Sequence, residues 1–156
     1  MEQLARQLVD ALRKCGWTVT TAESCTGGGI SAALVDIPGA SDVLKMAFVT
    51  YCDEAKEELL GVRKETLAEY TAVSGQTAYE MALGASARAK ADLALAATGI
   101  AGPGGTEEFP AGLVFLACTG PGRAEVREFH FRGSRNEVRK QAIEQALRMG
   151  LKMTES

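Results

Sequence analysis

The order of local sequence patterns is the feature that most constrains the fold of this chain. Short apolar or β-branched runs, typical of buried strands, alternate with amphipathic or alanine-rich helical patterns, and the turn GPGR joins the last two strand patterns as a hairpin. Strands separated by helices imply right-handed parallel crossovers, whereas a hairpin adds antiparallel pairing. We therefore predict an α/β fold, a three-layer α/β/α sandwich on a five-stranded mixed sheet, as a single domain over residues 1–156.

The predicted elements follow from apolar spacing and from residues that start or stop helices. The first helix is predicted to end before Gly16, Asp53 and Ser74 are predicted helix caps, and Ser134 and Glu137 have the spacing of a capping box. Predicted strands cover 17–22, 45–52, 92–99, 113–119 and 124–131, and predicted helices cover 2–14, 26–35, 54–61, 64–70, 75–91 and 134–152.

Composition and charge argue against several classes of function. The formal net charge is −3, which gives no basic footprint for a nucleic-acid partner. No stretch approaches the roughly 20 apolar residues of a membrane span, and the N-terminal pattern is an amphipathic helix, so we expect a cytosolic protein without a membrane partner. The scattered cysteines have no metal-type spacing and indicate neither zinc nor disulfides: Cys15, Cys25, Cys52 and Cys118.

The single histidine, His130, limits the chemistry open to the chain. Any Ser-His or Cys-His site would have to use it. Strand alternation places His130 with Glu128 and Arg132 on the wetter face of the last predicted strand. We therefore predict a surface position for His130, and a different general base if the protein is a hydrolase.

Three segments follow the first three predicted strands: ESCTGGG, TYCDEAK and TGIAGPGG. The C-terminal ends of parallel strands lie at one edge of a sheet, where ligands bind in open α/β folds, so we expect these segments to meet. In the first segment, a helix starting near Gly27 directs its N–H groups towards Ser24 and Cys25, where they can hold a phosphate or an oxyanion. The same glycines also suit a simple strand-to-helix corner, and the spacing matches no dinucleotide fingerprint or P-loop.

The second segment places Lys56 in the first turn of a helix, where the helix dipole and partial burial lower a lysine pKa. Such a lysine can act as base to a serine. A solvated charged face explains Lys56 equally well, since it is surrounded by Asp53, Glu54, Glu57 and Glu58.

The third segment and the last helix offer candidate phosphate ligands. Arg135 and Arg139 are i,i+4 neighbours near the start of the last helix, where cations oppose the dipole, and they suit either phosphate binding or an exposed surface. The loop after the third strand suits either a phosphate cradle or a plain crossover, and its glycines are Gly99, Gly102, Gly104 and Gly105.

Together, the motifs resemble the CinA C-terminal domain family, whose characterised members are nicotinamide-nucleotide amidases. The resemblance extends over nearly the whole chain through TVTTAESCTGG, FVTYCDEAKEELLGV, ETLAEYTAVS, EMALGA, TGIAGPGG and FRGSRNEVRKQA. It implies an anticodon-binding-domain-like sandwich, a homo-oligomer, and hydrolysis of nicotinamide mononucleotide to nicotinate mononucleotide and ammonia in pyridine nucleotide salvage. It implies a small-molecule nucleotide substrate, with neither metal nor cofactor.

The resemblance also assigns site residues. Ser24 is the implied nucleophile, Lys56 its base, and Tyr51 a helper in positioning or proton transfer. Beyond these three, our hypothesis for the oxyanion and substrate-binding residues includes Thr26, Gly27, Gly28, Thr98, Gly99, Gly102, Gly104, Gly105, Arg135 and Arg139.

The chain departs from the family pattern at a few positions. Phe109 stands where the family often has lysine, Asp53 stands where asparagine is common, and the glycine loop is about one residue short. The alternative reading is a nucleotide-binding or regulatory module that does not hydrolyse its ligand. A DNA-associated competence factor, suggested by the family's name, finds no basic patch in this sequence.

Overall fold

A computed structural model describes residues 1–155 and confirms the predicted α/β class with a five-stranded mixed sheet flanked by helices. No helix in that range is long and apolar enough to cross a membrane. The elements are α1 (Glu2–Cys15), β1 (Val19–Glu23), α2 (Gly29–Val35), a 3-10 turn (Ala40–Asp42), β2 (Leu44–Val49), α3 (Asp53–Leu60), α4 (Lys64–Tyr70), α5 (Gly75–Ala89), β3 (Leu93–Gly99), β4 (Leu113–Gly120), β5 (Arg123–His130) and α6 (Arg135–Met153).

The sheet has the strand order β2-β1-β3-β4-β5. β1 lies between β2 and β3 and is parallel to both, whereas β4 and β5 continue the sheet by antiparallel pairing. Both predicted features, the parallel crossovers and the closing hairpin, are therefore confirmed. Because β1, β2 and β3 run in the same direction, the segments that follow Glu23, Val49 and Gly99 leave the same edge of the sheet.

Side chains of different size cover the two faces of the sheet. On β3, Leu93 and Leu95 pack with α1, α2 and α6, whereas the alternate residues Ala94 and Ala96 pack with α3 and α5. The alanine face allows α5 to lie close to both the sheet and α3. At Gly84 in α5, a β-carbon would overlap the main-chain carbonyl of Leu60 at the end of α3. The position of α3 therefore depends on a glycine in the neighbouring helix.

Most helix ends are where the sequence predicts them. Gly16 ends α1 in a left-handed conformation with φ 71°. Ser74 Oγ accepts a hydrogen bond from the Thr77 N–H at the start of α5, and Ser134 and Glu137 form the predicted capping box of α6. These confirmed caps all rest on short-range patterns in the sequence.

Three boundaries correct the sequence prediction. The residue that caps α3 is Cys52, without a side-chain hydrogen bond, and Asp53 is instead the first helical residue, where its charge suits the helix dipole. α2 begins at Gly29 rather than near Thr26, because Gly27 and Gly28 have left-handed φ values of 60° and 98° and form tight turns. β2 ends at Val49 and not at Cys52, so the residues that follow are free to turn towards β1.

Candidate active site

Lys56 and Ser24 meet at the shared edge of the parallel strands. Lys56 Nζ lies 3.0 Å from Ser24 Oγ and donates a 2.8 Å hydrogen bond to the main-chain carbonyl of Thr50. Only 1% of Lys56 is exposed, and Ser24 is 9% exposed. The interpretation of Lys56 as part of a solvated charged face is therefore wrong, because its amine is buried against a serine hydroxyl.

Burial of Lys56 lowers the pKa of its amine below the usual lysine range. The Asp53 carboxylate acts in the opposite direction and favours the protonated form, with smaller effects of the same sign from Cys52 and Cys25. The net direction is the one expected from the sequence. A lowered pKa increases the neutral fraction of the amine, which is the form that can accept a proton from Ser24.

The neighbouring Cys25 is poorly suited to be the nucleophile. Burial raises the pKa of its thiol to about 11, outweighing a backbone hydrogen bond that favours the thiolate, and the charge of Glu23 raises it further. A thiol with that pKa holds little of the reactive thiolate at neutral pH. Because Lys56 Nζ contacts Ser24 Oγ, the geometry favours Ser24 over Cys25.

Glu23, which precedes Ser24, is a fully buried carboxylate that the sequence analysis missed. Its oxygens accept hydrogen bonds from the N–H groups of Ile30 and Ser31, at 2.8 and 2.9 Å, in the first turn of α2. They also accept from the hydroxyls of Thr26, at 2.7 Å, and Thr21, at 3.1 Å. The one available signal was a charged residue at the end of a strand that is otherwise uncharged.

The hydrogen bonds of Glu23 contradict the predicted role of the start of α2. The start of α2 was expected to hold an oxyanion or a phosphate, but its first N–H groups are bonded to Glu23. Ser24 itself is fixed by its N–H, which donates to Ala97, and by its carbonyl, which accepts from Gly27. Within residues 1–155, the N–H groups of Cys25 and Thr26 donate to no other residue. They are the amide donors that follow the serine directly.

A cavity of about 290 Å³ opens beside the serine and the lysine. Tyr51 and Arg135 lie on its wall and contact each other, because one guanidinium nitrogen of Arg135 donates to Tyr51 Oη at 2.9 Å. The other terminal nitrogen donates to the Gly102 carbonyl at 2.8 Å. The predicted site residues that line the cavity are Ser24, Tyr51, Lys56, Thr98, Gly99, Gly102 and Arg135.

Other predicted site residues lie outside this lining. Gly104 and Gly105 belong to an exposed turn closed by a bridge to Pro110. Arg139 does not line the cavity, and its guanidinium donates to the Thr26 carbonyl at 2.8 Å. Thr26, Gly27 and Gly28 shape the turn after Ser24 without lining the cavity.

Several residues that line the cavity, and one hydrogen bond that supports its wall, were not predicted from the sequence. Ala72, Val73, Ile100 and Ala101 supply an apolar part of the wall. Thr98 is held in place because its hydroxyl donates a 2.7 Å hydrogen bond to the Ala72 carbonyl, which joins the end of β3 to the segment before α5. Small apolar residues in loops carry no sequence signal for a binding site.

Two features lie away from this cavity. His130 is exposed on β5, and its Nε2 lies 2.7 Å from Glu128, which confirms the predicted surface position. A larger groove of about 610 Å³ lies along α5 beside the end of α3. None of the predicted site residues lines this groove.

Comparison with known proteins shows the family of the chain. The chain is 49% identical over 147 residues to the nicotinamide-nucleotide amidohydrolase PncC of Escherichia coli K12, covering 93% of this chain and 89% of the relative. It is 46% identical to a CinA-like protein of Kosmotoga olearia, of which it spans 36%. The crystal structure of the competence/damage inducible protein CihA from Agrobacterium tumefaciens superposes with a TM-score of 0.95 at 45% identity, covering 99% of this chain and 95% of that one. Since the sequence profile of the CinA C-terminal domain also matches residues 1–154, the chain belongs to the CinA C-terminal domain family.

Proposed function

We propose that this protein hydrolyses the carboxamide of nicotinamide mononucleotide, giving nicotinate mononucleotide and ammonia. The observation that carries the proposal is the 3.0 Å contact between the buried Lys56 amine and the Ser24 hydroxyl at the cavity. The activity named for the Escherichia coli relative supports the same reaction. A module that only binds a nucleotide has no use for a buried lysine with a lowered pKa beside a serine.

The acylation step uses both residues. Neutral Lys56 accepts the proton of the Ser24 hydroxyl as Oγ attacks the carboxamide carbon, and the carbonyl electron pair moves onto oxygen. The N–H groups of Cys25 and Thr26, which donate to no other residue, are the proposed donors to that oxyanion. Protonated Lys56 then gives the proton to the leaving nitrogen, the carbon–nitrogen bond breaks, and ammonia departs from an acyl ester on Ser24.

Deacylation repeats the proton transfers with water. Lys56 accepts a proton from water while the water oxygen attacks the ester carbon, and the bond to Ser24 Oγ then breaks as the proton returns to Oγ. The Thr50 carbonyl accepts a 2.8 Å hydrogen bond from the lysine amine and so positions it in both half-reactions. This bond leaves the lone pair of the neutral amine available to Ser24. The serine and the lysine end the cycle unchanged.

The cavity wall suits the rest of the nucleotide. Arg135 is the cation among the lining residues apart from Lys56, and its guanidinium can bind the 5′-phosphate after releasing Tyr51 or Gly102. Tyr51 then positions the ribose or the phosphate from the cavity mouth. The Thr98 to Gly102 segment supplies further backbone groups to the lining of the cavity.

An ammonia assay with nicotinamide mononucleotide tests the proposal. The wild-type protein is expected to release ammonia, and Ser24→Ala to lose at least about a thousandfold of kcat. Lys56→Arg keeps a cation but cannot be deprotonated, so it should be equally inactive. Cys25→Ala is the matched control and should stay active.

Two outcomes would refute the proposal. An active Ser24→Ala protein would overturn the assignment of the nucleophile. Thermal stabilisation of the wild-type protein by the nucleotide, without ammonia release at high enzyme concentration, would indicate the non-hydrolytic binding module instead.

A further inference from the structure

The cavity contains a carboxylate for which the proposed mechanism has no use. Asp53 lines it together with Ser24 and Lys56. Within residues 1–155, the Asp53 side chain has no ion pair and no hydrogen bond, since Lys56 directs its amine to Ser24 and Thr50. An unpaired carboxylate in a binding cavity is a natural partner for a cationic group of the ligand.

The position of Asp53 relative to Lys56 indicates which part of a substrate it would meet. The two residues are three positions apart in α3, so they lie on the same face of the helix. A carboxamide attacked by Ser24 must lie beside Lys56, and the ring that bears the carboxamide therefore lies beside Asp53. In an oxidised nicotinamide nucleotide that ring is a pyridinium cation.

The charges of the cavity match the charges of such a nucleotide. Arg135 offers a cation for the phosphate, and Asp53 offers an anion for the ring. We propose that Asp53 is a specificity-determining residue that selects the positively charged pyridinium ring of the substrate. This inference rests on the proposed function, because it assumes that a nicotinamide nucleotide enters the cavity.

The same carboxylate couples substrate binding to the state of the base. In the free protein, Asp53 raises the pKa of Lys56 against the stronger opposing effect of burial. The other groups that act on this amine are the thiols of Cys52 and Cys25. A bound pyridinium neutralises the field of Asp53 and disfavours a second cation nearby, so binding of the cationic ring lowers the Lys56 pKa. Substrate binding therefore increases the neutral fraction of Lys56 beside the bound carboxamide.

The test compares nicotinamide mononucleotide with its reduced form, whose dihydropyridine ring has the same carboxamide and phosphate but no positive charge. Titration calorimetry with the Ser24→Ala protein measures both affinities without turnover. We expect Asp53→Asn in that background to reduce the preference for the cationic ring about threefold to tenfold, the range for a partly exposed charge pair. Asp53→Glu should retain most of the preference.

A neighbouring carboxylate provides the matched control. Glu54 lies in the same first turn of α3 but does not line the cavity, so Glu54→Gln should leave the preference unchanged. An unchanged preference in Asp53→Asn, or an equal loss in Glu54→Gln, would overturn the inference. Failure of the Ser24→Ala protein to bind either form at millimolar concentration would overturn it as well.

The wild-type background separates this inference from the proposed hydrolysis. In active protein, Asp53→Asn should raise KM more than it lowers kcat and should move the acidic limb of the kcat profile to lower pH, because Lys56 loses the charge that favours its protonation. Absence of ammonia release together with an intact, Asp53-dependent charge preference would refute the hydrolysis and support the role of Asp53.

Discussion

Replacing Glu23 by alanine tests whether the buried carboxylate organises the turn that carries Ser24. Glu23 accepts two hydrogen bonds from the first turn of α2 and two from threonine hydroxyls, and none of its surface is exposed. The substitution leaves the buried N–H of Ile30 and the partly buried N–H of Ser31 without an acceptor. Each buried unsatisfied donor costs about 1–3 kcal/mol, whereas the hydroxyls can rotate towards other acceptors.

The expected loss in free energy of unfolding is therefore about 3–5 kcal/mol once lost packing is included. Small domains are stable by roughly 5–15 kcal/mol, so the variant should remain folded at low temperature with a reduced urea midpoint. In the folded fraction, kcat should also fall, because the turn after Ser24 no longer has a fixed anchor.

Urea denaturation of the wild type and three variants gives the measurement. Glu137→Ala is the matched control, because Glu137 also caps a helix but is exposed, and its loss should be about 1 kcal/mol. Glu23→Gln keeps one acceptor oxygen and should fall between the wild type and Glu23→Ala. If Glu23→Ala lowers the free energy of unfolding no more than Glu137→Ala does, the reasoning from buried, unsatisfied donors is refuted.

Three further predictions concern the base and the residues not assigned to catalysis. Because burial lowers the Lys56 pKa, the unfolded state binds more protons between the folded and unfolded pKa values, and stability rises with pH in that interval. Lys56→Met should remove this rise. Denaturation at several pH values should therefore show that the free energy of unfolding of the wild type increases relative to that of the variant towards alkaline pH. A constant difference between the two proteins would contradict the prediction. Iodoacetamide at neutral pH should label the exposed Cys52 well before the buried Cys25, whose thiol has a pKa of about 11. Peptide mass spectrometry measures the order of labelling, and the reverse order would contradict the assignment of Cys25 as an unreactive thiol. His130→Ala should leave kcat/KM within about twofold of wild type, and a large loss would contradict its distance from the site.

The sequence alone predicted the fold through short-range signals. Strand and helix order implied the mixed sheet, and the caps at Gly16, Ser74 and Ser134 were correct because a cap depends on a few neighbouring residues. The start of α2 was wrong because the glycine run permits both helix and left-handed turns, and only the contact with Glu23 selects the turns.

The site was predicted less completely than the fold. Lys56 and Ser24 are far apart in sequence, and parallel strand topology was enough to bring them to one edge. The burial of Lys56 was not evident among its acidic neighbours, because burial depends on how α3 packs. Arg139 and Arg135 looked equivalent by spacing, yet only Arg135 lines the cavity, since the side-chain direction is set by tertiary contacts.

The contact between Gly84 and the end of α3 affects how sequence variation in this family should be interpreted. Glycine inside a helix is unfavourable by about 1 kcal/mol relative to alanine, so it persists only where a β-carbon has no room. Relatives that have lost the serine or the lysine, but keep the helix packing, should still keep glycine at this position. An invariant Gly84 in an alignment would then reflect the close spacing of two helices. A loss of enzyme activity on mutation of Gly84 would not identify it as an active-site residue.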